Sequence, residues 1–98
     1  MAEIVWTSEA NRWLKEIFDK IGKENPNAAK KIINGIFGKA QILKDFPEIG
    51  YRFEHESKRD IRILLYGHYR IAYEIAGKHR LYILGIFHGS MAIENYLI

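Results

Sequence analysis

The chain has 98 residues, of which 48% are hydrophobic and 13% aromatic, and it contains no cysteine. This length accommodates one hydrophobic core, so we expect a single domain over residues 1–98. The apolar content excludes a disordered chain, because enough apolar surface is available to offset the entropy lost on folding. The lack of cysteine excludes disulfides, thiolate catalysis and cysteine-based zinc sites.

The formal net charge is +3, a mild excess that permits contact with nucleic acid without requiring it. No apolar run reaches the roughly 18 residues that a membrane helix needs. The first residues lack the basic and apolar regions of a signal peptide. We therefore expect a cytoplasmic protein with no membrane partner.

Two segments in the first half of the chain predict amphipathic helices. Thr7 or Ser8 caps the first helix, which extends to Gly22. Asn25, a favourable N-cap, opens the second helix, which extends to about Asp45. The apolar residues at helical spacing are Ala10, Trp13, Leu14, Ile17, Phe18 and Ile21 in the first helix and Ala29, Ile32, Ile33, Ile36, Phe37, Ala40 and Leu43 in the second. The short link between the helices predicts an antiparallel hairpin.

The second half of the chain predicts an antiparallel sheet. Three β-rich runs cover residues 61–66, 69–76 and 80–88, and Gly67-His68 and Gly77-Lys78 suit two-residue hairpin turns between them. A polar loop over residues 50–60, extended at its start, precedes them. A further short strand is expected at residues 4–6.

Together these elements predict an α+β fold. It consists of an N-terminal strand, an antiparallel helical hairpin packed on a mainly antiparallel four-stranded sheet, and a short C-terminal helix after Gly89. The hairpin must cover one face of the sheet, because nothing else is large enough to bury its two apolar stripes. The other face is left as a candidate binding surface.

The turn positions predict the register of the sheet. They place Leu65 of the first strand opposite Arg70 of the middle strand, and Arg70 opposite Gly85 of the last strand. Arg70 then lies on the face away from the helices, with space for a ligand beside the glycine, while His88 lies on the helix face. A one-residue slip would invert these assignments. The predicted helix face consists of Arg62, Leu64, Ile71, Tyr73, Tyr82, Leu84, Ile86 and His88.

Arg70 is the first candidate for a functional role, because an arginine in mid-strand is either exposed or paired. One interpretation is an ion pair with Glu74 or with a carboxylate of the loop. The other is an anchor for a phosphate or a partner's carboxylate, which the planar guanidinium binds through two hydrogen bonds. Arg62 has the same two interpretations.

His88 is a candidate general acid or base, because histidine titrates near neutral pH. The alternative is a hydrogen bond to nearby backbone. The four histidines of the chain are spaced too irregularly for a metal site, so we expect neither a metal nor another cofactor.

The loop before the sheet is rich in basic residues interleaved with acidic ones. It forms either a phosphate-binding strip or a solvated surface of mixed charge. Tyr96 and other tyrosines either stack on bases or lie at the edge of the core. The basic residues of this strip are Arg52, His55, Lys58, Arg59 and Arg62.

Four segments of the chain, in a fixed order, carry a resemblance to a known family. They are Asn25-Pro26-Asn27-Ala28-Ala29, Leu43-Lys44-Asp45-Phe46-Pro47-Glu48-Ile49-Gly50, the run of residues 61–75 that contains Arg62 and Arg70, and Ile83-Leu84-Gly85-Ile86-Phe87-His88-Gly89. Together they resemble the RelE/ParE superfamily of bacterial toxins from type II toxin–antitoxin modules. The resemblance implies a β-α-α-β-β-β core, growth arrest, and neutralisation in a hetero-oligomer by a cognate antitoxin with an extended or helical tail.

Two branches of this superfamily differ in their target. The RelE-like branch cleaves mRNA on the ribosome, and in that case Arg70, Arg62 and His88 would carry phosphate binding and proton transfer. The ParE-like branch blocks DNA gyrase by binding. The helix pair and the P-x-x-G turn at residues 47–50 are more similar to the ParE-like branch, so the resemblance implies a gyrase-binding toxin. The alternatives are a ribosome-dependent mRNA endoribonuclease and a non-toxic interaction module. The residues expected to bind a substrate or partner are Arg52, Lys58, Arg59 and Tyr96.

Overall fold

The chain folds into an N-terminal strand, two helices, a mostly antiparallel sheet and a short C-terminal helix, which confirms the predicted α+β class. The computed structural model describes residues 2–54, 58–89 and 91–97. The elements are β1 (Glu3–Trp6), α1 (Ser8–Gly22), α2 (Pro26–Gln41), a 3-10 turn (Ile42–Lys44), β2 (Tyr51–Arg52), β3 (Asp60–Tyr66), β4 (Tyr69–Ala76), β5 (Arg80–His88) and α3 (Glu94–Leu97).

Both long helices begin at the side-chain caps that the sequence predicts. The Oγ1 of Thr7 accepts a hydrogen bond from the Ala10 amide at 3.1 Å, and it also donates one to the carbonyl of Ile83 at 2.6 Å. The side chain of Asn25 accepts a hydrogen bond from the Ala28 amide at 3.1 Å. These caps satisfy amides that have no partner within their helices.

In the described part of the chain the sheet has five strands, in the order β1-β5-β4-β3-β2. β1 is parallel to β5, and the other neighbours are antiparallel. The predicted number of four strands is therefore wrong by one. The additional strand is β2, whose Tyr51 pairs with Ile63 of β3. It is only two residues long and both are exposed, so its sequence has no alternating apolar pattern.

The pairing of β4 with β5 differs from the predicted register in two places. Three residues, 77–79, connect the strands instead of two, so Ala76 pairs with Arg80. A bulge then shifts the register between Ala72 and Tyr73. Arg70 consequently pairs with Phe87, and not with Gly85 as predicted. The pairing of Leu65 with Arg70 is as predicted.

The two shifts cancel in their effect on which face a residue occupies. Beyond the bulge, Ile86 belongs to the core under the helices and Phe87 to the other face, as the sequence analysis expects. Between the turn and the bulge the assignment is inverted, because Ile83 belongs to the core under the helices and Leu84 packs on the other face. The predicted placement of Tyr82 and Leu84 on the helix face is therefore wrong.

The core lies mainly between the helical hairpin and the sheet. Its buried residues are Ala2, Ala10, Leu14, Ile36, Leu43, Leu64, Ile71, Tyr73, Leu81, Ile83 and Ile86. A smaller cluster of Ile63, Ala72, Phe87 and Ile93 covers part of the opposite face. That face is therefore not entirely open, since the segment after β5 folds back onto it. None of the helices in the described ranges is both long and apolar enough to cross a membrane.

Candidate functional site

Arg70 lies on the face away from the helices, and its guanidinium binds main-chain carbonyls. Its Nη2 donates hydrogen bonds to the carbonyls of Met91, Gly89 at 3.3 Å and His88 at 3.4 Å. Its Nε is buried and has no hydrogen-bond partner among the described residues. Arg70 therefore holds the chain segment that follows β5, which neither of its two sequence-based interpretations anticipates.

The space predicted beside Gly85 is already filled. A side chain at this position would meet the Phe87 ring at 2.6 Å and the Trp13 ring at 3.3 Å. Gly85 thus allows two aromatic residues to approach the strand closely, and no ligand fits there. The prediction that the glycine leaves room for a ligand next to Arg70 is wrong.

Glu74, the predicted partner of Arg70, instead binds Arg59. The Arg59 guanidinium donates from Nε to Oε2 at 3.1 Å and from Nη2 to Oε1 at 2.8 Å. This hydrogen bond raises the pKa of Arg59 above its ordinary value. The two-point geometry fixes the end of the preceding loop against β4.

Arg62 is largely buried, with 15% of its side chain exposed, and it binds the turn that follows α2. Its Nε donates to Asp60 at 3.1 Å, and its Nη1 donates to the carbonyls of Glu48 at 3.0 Å and Gly50 at 3.2 Å. Because Arg62 pairs with Tyr73 across the sheet, it shares the helix side of β3 with the core. Its guanidinium therefore points away from that of Arg70.

His88 lies on the helix side, as predicted, so its imidazole and the Arg70 guanidinium occupy opposite faces of the sheet. The imidazole meets the ring of Tyr69 edge-on with centroids 5.7 Å apart, and it stacks near His68 at 6.3 Å. The three residues expected to carry nuclease chemistry are thus not brought together around one reacting centre.

The remaining candidate residues lie at separate places on the surface. Arg52 is exposed, with its Nε 4.0 Å from Asp60, and Lys58 is exposed at the start of a described range. Tyr96 meets Trp13 edge-on at 5.3 Å. Tyr96 and Arg59 line a common cavity of about 230 Å³, so the structure brings these two predicted residues together. His55, part of the predicted basic strip, lies outside the described residues.

A groove of about 550 Å³ lies between α1 and the ends of β4 and β5. Apolar side chains and charged or polar side chains both line it. The lining residues are Trp13, Glu16, Ile17, Lys20, Ile21, Glu24, Asn25, Tyr69, Ile86, His88 and Met91. Sequence reasoning missed this groove, because it treats the apolar stripe of α1 as core; the one available signal is that this stripe is wide.

Among the described residues, no group of three or more His, Asp or Glu side chains is placed to hold a metal ion.

Solved structures of toxin–antitoxin systems share this fold. The chromosomal ParDE toxin–antitoxin system from P. aeruginosa matches with a TM-score of 0.75 and 23% sequence identity, over 90% of this chain and 96% of that chain. The toxin–antitoxin complex RelBE2 from Mycobacterium tuberculosis matches with a TM-score of 0.57 and 23% identity, over 89% and 96% of the two chains. At this level of identity the likeness concerns the fold alone.

The fold is thus one found in proteins of toxin–antitoxin systems. Residues 4–93 match the family described as the ParE toxin of type II toxin–antitoxin system, parDE. Because the match spans most of the sequence, the chain belongs to the ParE toxin family. The resemblance to the RelE/ParE superfamily, and to its ParE-like branch in particular, is confirmed. No curated protein matches the chain.

Proposed function

We propose that this ParE-type toxin acts by binding its target, that the target is DNA gyrase, and that a cognate antitoxin neutralises it. The observation that carries the proposal is the separation of Arg70, Arg62 and His88. Acid–base cleavage of RNA needs groups that converge on one phosphate and its neighbouring hydroxyl. Here both guanidinium groups bind main-chain carbonyls, and they do so on opposite sides of the sheet.

The groove between α1 and β5 supports an antitoxin partner. An amphipathic helix binds by placing its apolar side chains into a groove of this kind. Trp13, Ile17 and Ile86 supply apolar lining, while Glu16 and Lys20 supply charges of both signs that fix the orientation of a bound segment. The two similar structures named above are of a toxin–antitoxin system and a toxin–antitoxin complex, which is consistent with such a partner.

An assay of DNA supercoiling by purified gyrase tests the target. The protein is expected to inhibit supercoiling, and preincubation with the antitoxin is expected to relieve the inhibition. Ribosomes programmed with mRNA serve as the parallel assay. Cleavage of mRNA in the ribosomal A site without inhibition of gyrase would replace the proposal with the endoribonuclease alternative. Expression without growth arrest would leave a non-toxic interaction module.

A further inference from the structure

The turn at residues 46–49, between the 3-10 turn and β2, presents two large apolar side chains to solvent. Phe46 is 62% exposed and Ile49 is 54% exposed. A connection on the surface has no structural need for such side chains, because polar residues form turns equally well without exposing apolar surface. Two of them side by side on one short turn mark an interaction surface.

The backbone of this 46–49 turn is held from within the fold. The Tyr73 hydroxyl, on β4, donates to the Pro47 carbonyl at 2.8 Å and accepts from the Gly50 amide at 2.9 Å. Arg62 donates to the Glu48 carbonyl at 3.0 Å. Within the turn, the Ile49 amide donates to the Phe46 carbonyl at 3.2 Å.

These bonds orient the turn so that its main chain is satisfied internally and its apolar side chains point outward. Gly50 completes the arrangement, because a side chain there would meet the Tyr73 hydroxyl at 2.7 Å and the Ile63 carbonyl at 2.8 Å. A turn that is already ordered loses little entropy when it binds, which is the condition under which a small contact contributes strongly to affinity.

Charge indicates the kind of partner. Asp45, Phe46, Pro47, Glu48 and Ile49 line a shallow cavity of about 400 Å³ at this turn. Two carboxylates, and no basic side chain, are thus among the five residues that line this cavity. A complementary surface has an apolar pocket for the aromatic ring and a rim of arginine or lysine.

We propose that the 46–49 turn is the surface with which the toxin contacts its protein target, inserting Phe46 and Ile49 into an apolar pocket with a basic rim. This inference rests on the proposed function, in which the toxin acts by binding a protein. The turn shares no lining residue with the groove assigned to the antitoxin. The target is thus the occupant that the observations favour.

The test is the double variant Phe46→Ala/Ile49→Ala, compared with Leu65→Ala, which truncates another exposed apolar side chain. Leu65 is 56% exposed on the opposite face of the sheet, so its truncation removes exposed apolar area at a site away from the turn. The double variant is expected to raise at least tenfold the expression level needed for growth arrest, and to change the Kd for the antitoxin less than twofold. Leu65→Ala is expected to change neither quantity.

A second pair of variants tests the charge. Reversal of both carboxylates, Asp45→Lys/Glu48→Lys, is expected to weaken growth arrest by a similar factor, while Glu94→Lys on α3 leaves it unchanged. Circular dichroism and thermal unfolding verify that each variant folds.

Growth arrest at wild-type expression levels by Phe46→Ala/Ile49→Ala would overturn the inference. So would a selective loss of antitoxin binding, which would assign the turn to the antitoxin instead. The supercoiling assay separates this inference from the proposed target. If the wild-type protein arrests growth without inhibiting gyrase, gyrase is excluded and the growth comparison still decides the role of the turn. If the wild-type protein arrests no growth, both proposals fail.

Discussion

Arg70 donates a hydrogen bond from Nη2 to the main-chain carbonyl of His88, although the imidazole of His88 lies on the opposite face of the sheet. The same nitrogen binds the carbonyls of Gly89 and Met91. The guanidinium thereby fixes the path of the chain where it leaves β5. It directs the segment that contains Ile93 onto the second face of the sheet, where this residue is buried against Phe87.

Replacement of Arg70 by alanine is expected to loosen this segment. Hydrogen bonds to a charged group contribute roughly 1.5–3 kcal/mol, so Arg70→Ala should lower the free energy of unfolding by about that amount. It should also accelerate amide hydrogen exchange at Tyr96 and Leu97, which bond to the Ile93 carbonyl in the last turn. Arg52→Ala is the control, because Arg52 is exposed. Unchanged exchange at Tyr96 and Leu97 would show that Arg70 does not hold the segment.

The face that Arg70 occupies, and its pairing with Leu65 of β3, could be predicted from the sequence, but its pairing with β5 could not. The alternation of apolar residues along β4 and β5 determines the face. The three-residue turn and the bulge at Ala72–Tyr73 have no reliable local signal, because each adds one residue that looks like any other in the strand. Because the two register shifts cancel, the predicted faces of Arg70, Ile86 and His88 are correct. The predicted face of Leu84 is inverted, because this residue follows the first shift and precedes the second.

The partners of the predicted site residues could not be read from the sequence, for a different reason. Arg70, Arg62 and Arg59 are all chemically able to bind a phosphate, a carboxylate or a carbonyl. Which acceptor each one reaches depends on tertiary packing. Arg70 and Arg62 bind carbonyls of chain segments that are remote in sequence. Arg59 binds the carboxylate of Glu74, which the sequence suggests as a partner of Arg70 because the two residues are close in the chain.

Replacement of Tyr73 by phenylalanine is expected to destabilise the fold at neutral pH. The change leaves the Gly50 amide and the Pro47 carbonyl without the hydroxyl that both now contact. An unsatisfied polar group in the interior costs roughly 1–3 kcal/mol, and we expect urea unfolding at pH 8 to show a loss in this range. Tyr96→Phe is the control, because Tyr96 is exposed. An equal effect of both substitutions would contradict the assigned role of the Tyr73 hydroxyl.

The buried hydroxyl of Tyr73 is also expected to make the stability of the fold depend on pH. Burial raises the pKa of Tyr73 above its ordinary value of about 10. Its folded-state pKa therefore exceeds its unfolded-state pKa, so its contribution to stability is complete below about pH 10 and is lost as the pH rises through the folded-state pKa. The difference in unfolding free energy between the wild type and Tyr73→Phe should accordingly shrink between pH 8 and pH 11. A difference that stays constant over this interval would argue against the raised pKa.

Two glycines of α2 are expected to respond in opposite directions to alanine. A Cβ at Gly35 would overlap the Tyr66 hydroxyl and its ring, whereas a Cβ at Gly38 would meet no atom within 4 Å. Gly38→Ala should raise the free energy of unfolding by about 0.5–1 kcal/mol, because alanine favours a helix over glycine. Gly35→Ala should lower it by about 1–3 kcal/mol through displacement of Tyr66. Chemical unfolding measures both changes in unfolding free energy, provided that the slope of this free energy against denaturant concentration is the same in all variants. Stabilisation by both substitutions would show that Tyr66 moves aside freely.

Thr7 joins the start of α1 to the sheet through one hydroxyl. This Oγ1 accepts from the Ala10 amide and donates to the Ile83 carbonyl, so it both caps the helix and ties it to β5 just before the bulge. Thr7→Ala removes both bonds and is expected to lower the free energy of unfolding by about 1–2 kcal/mol. Thr7→Ser keeps the hydroxyl and should retain most of the stability, because serine caps a helix at least as well as threonine. Equal losses of unfolding free energy in the two variants would assign the effect to the lost methyl group. The two hydrogen bonds would then contribute little to stability.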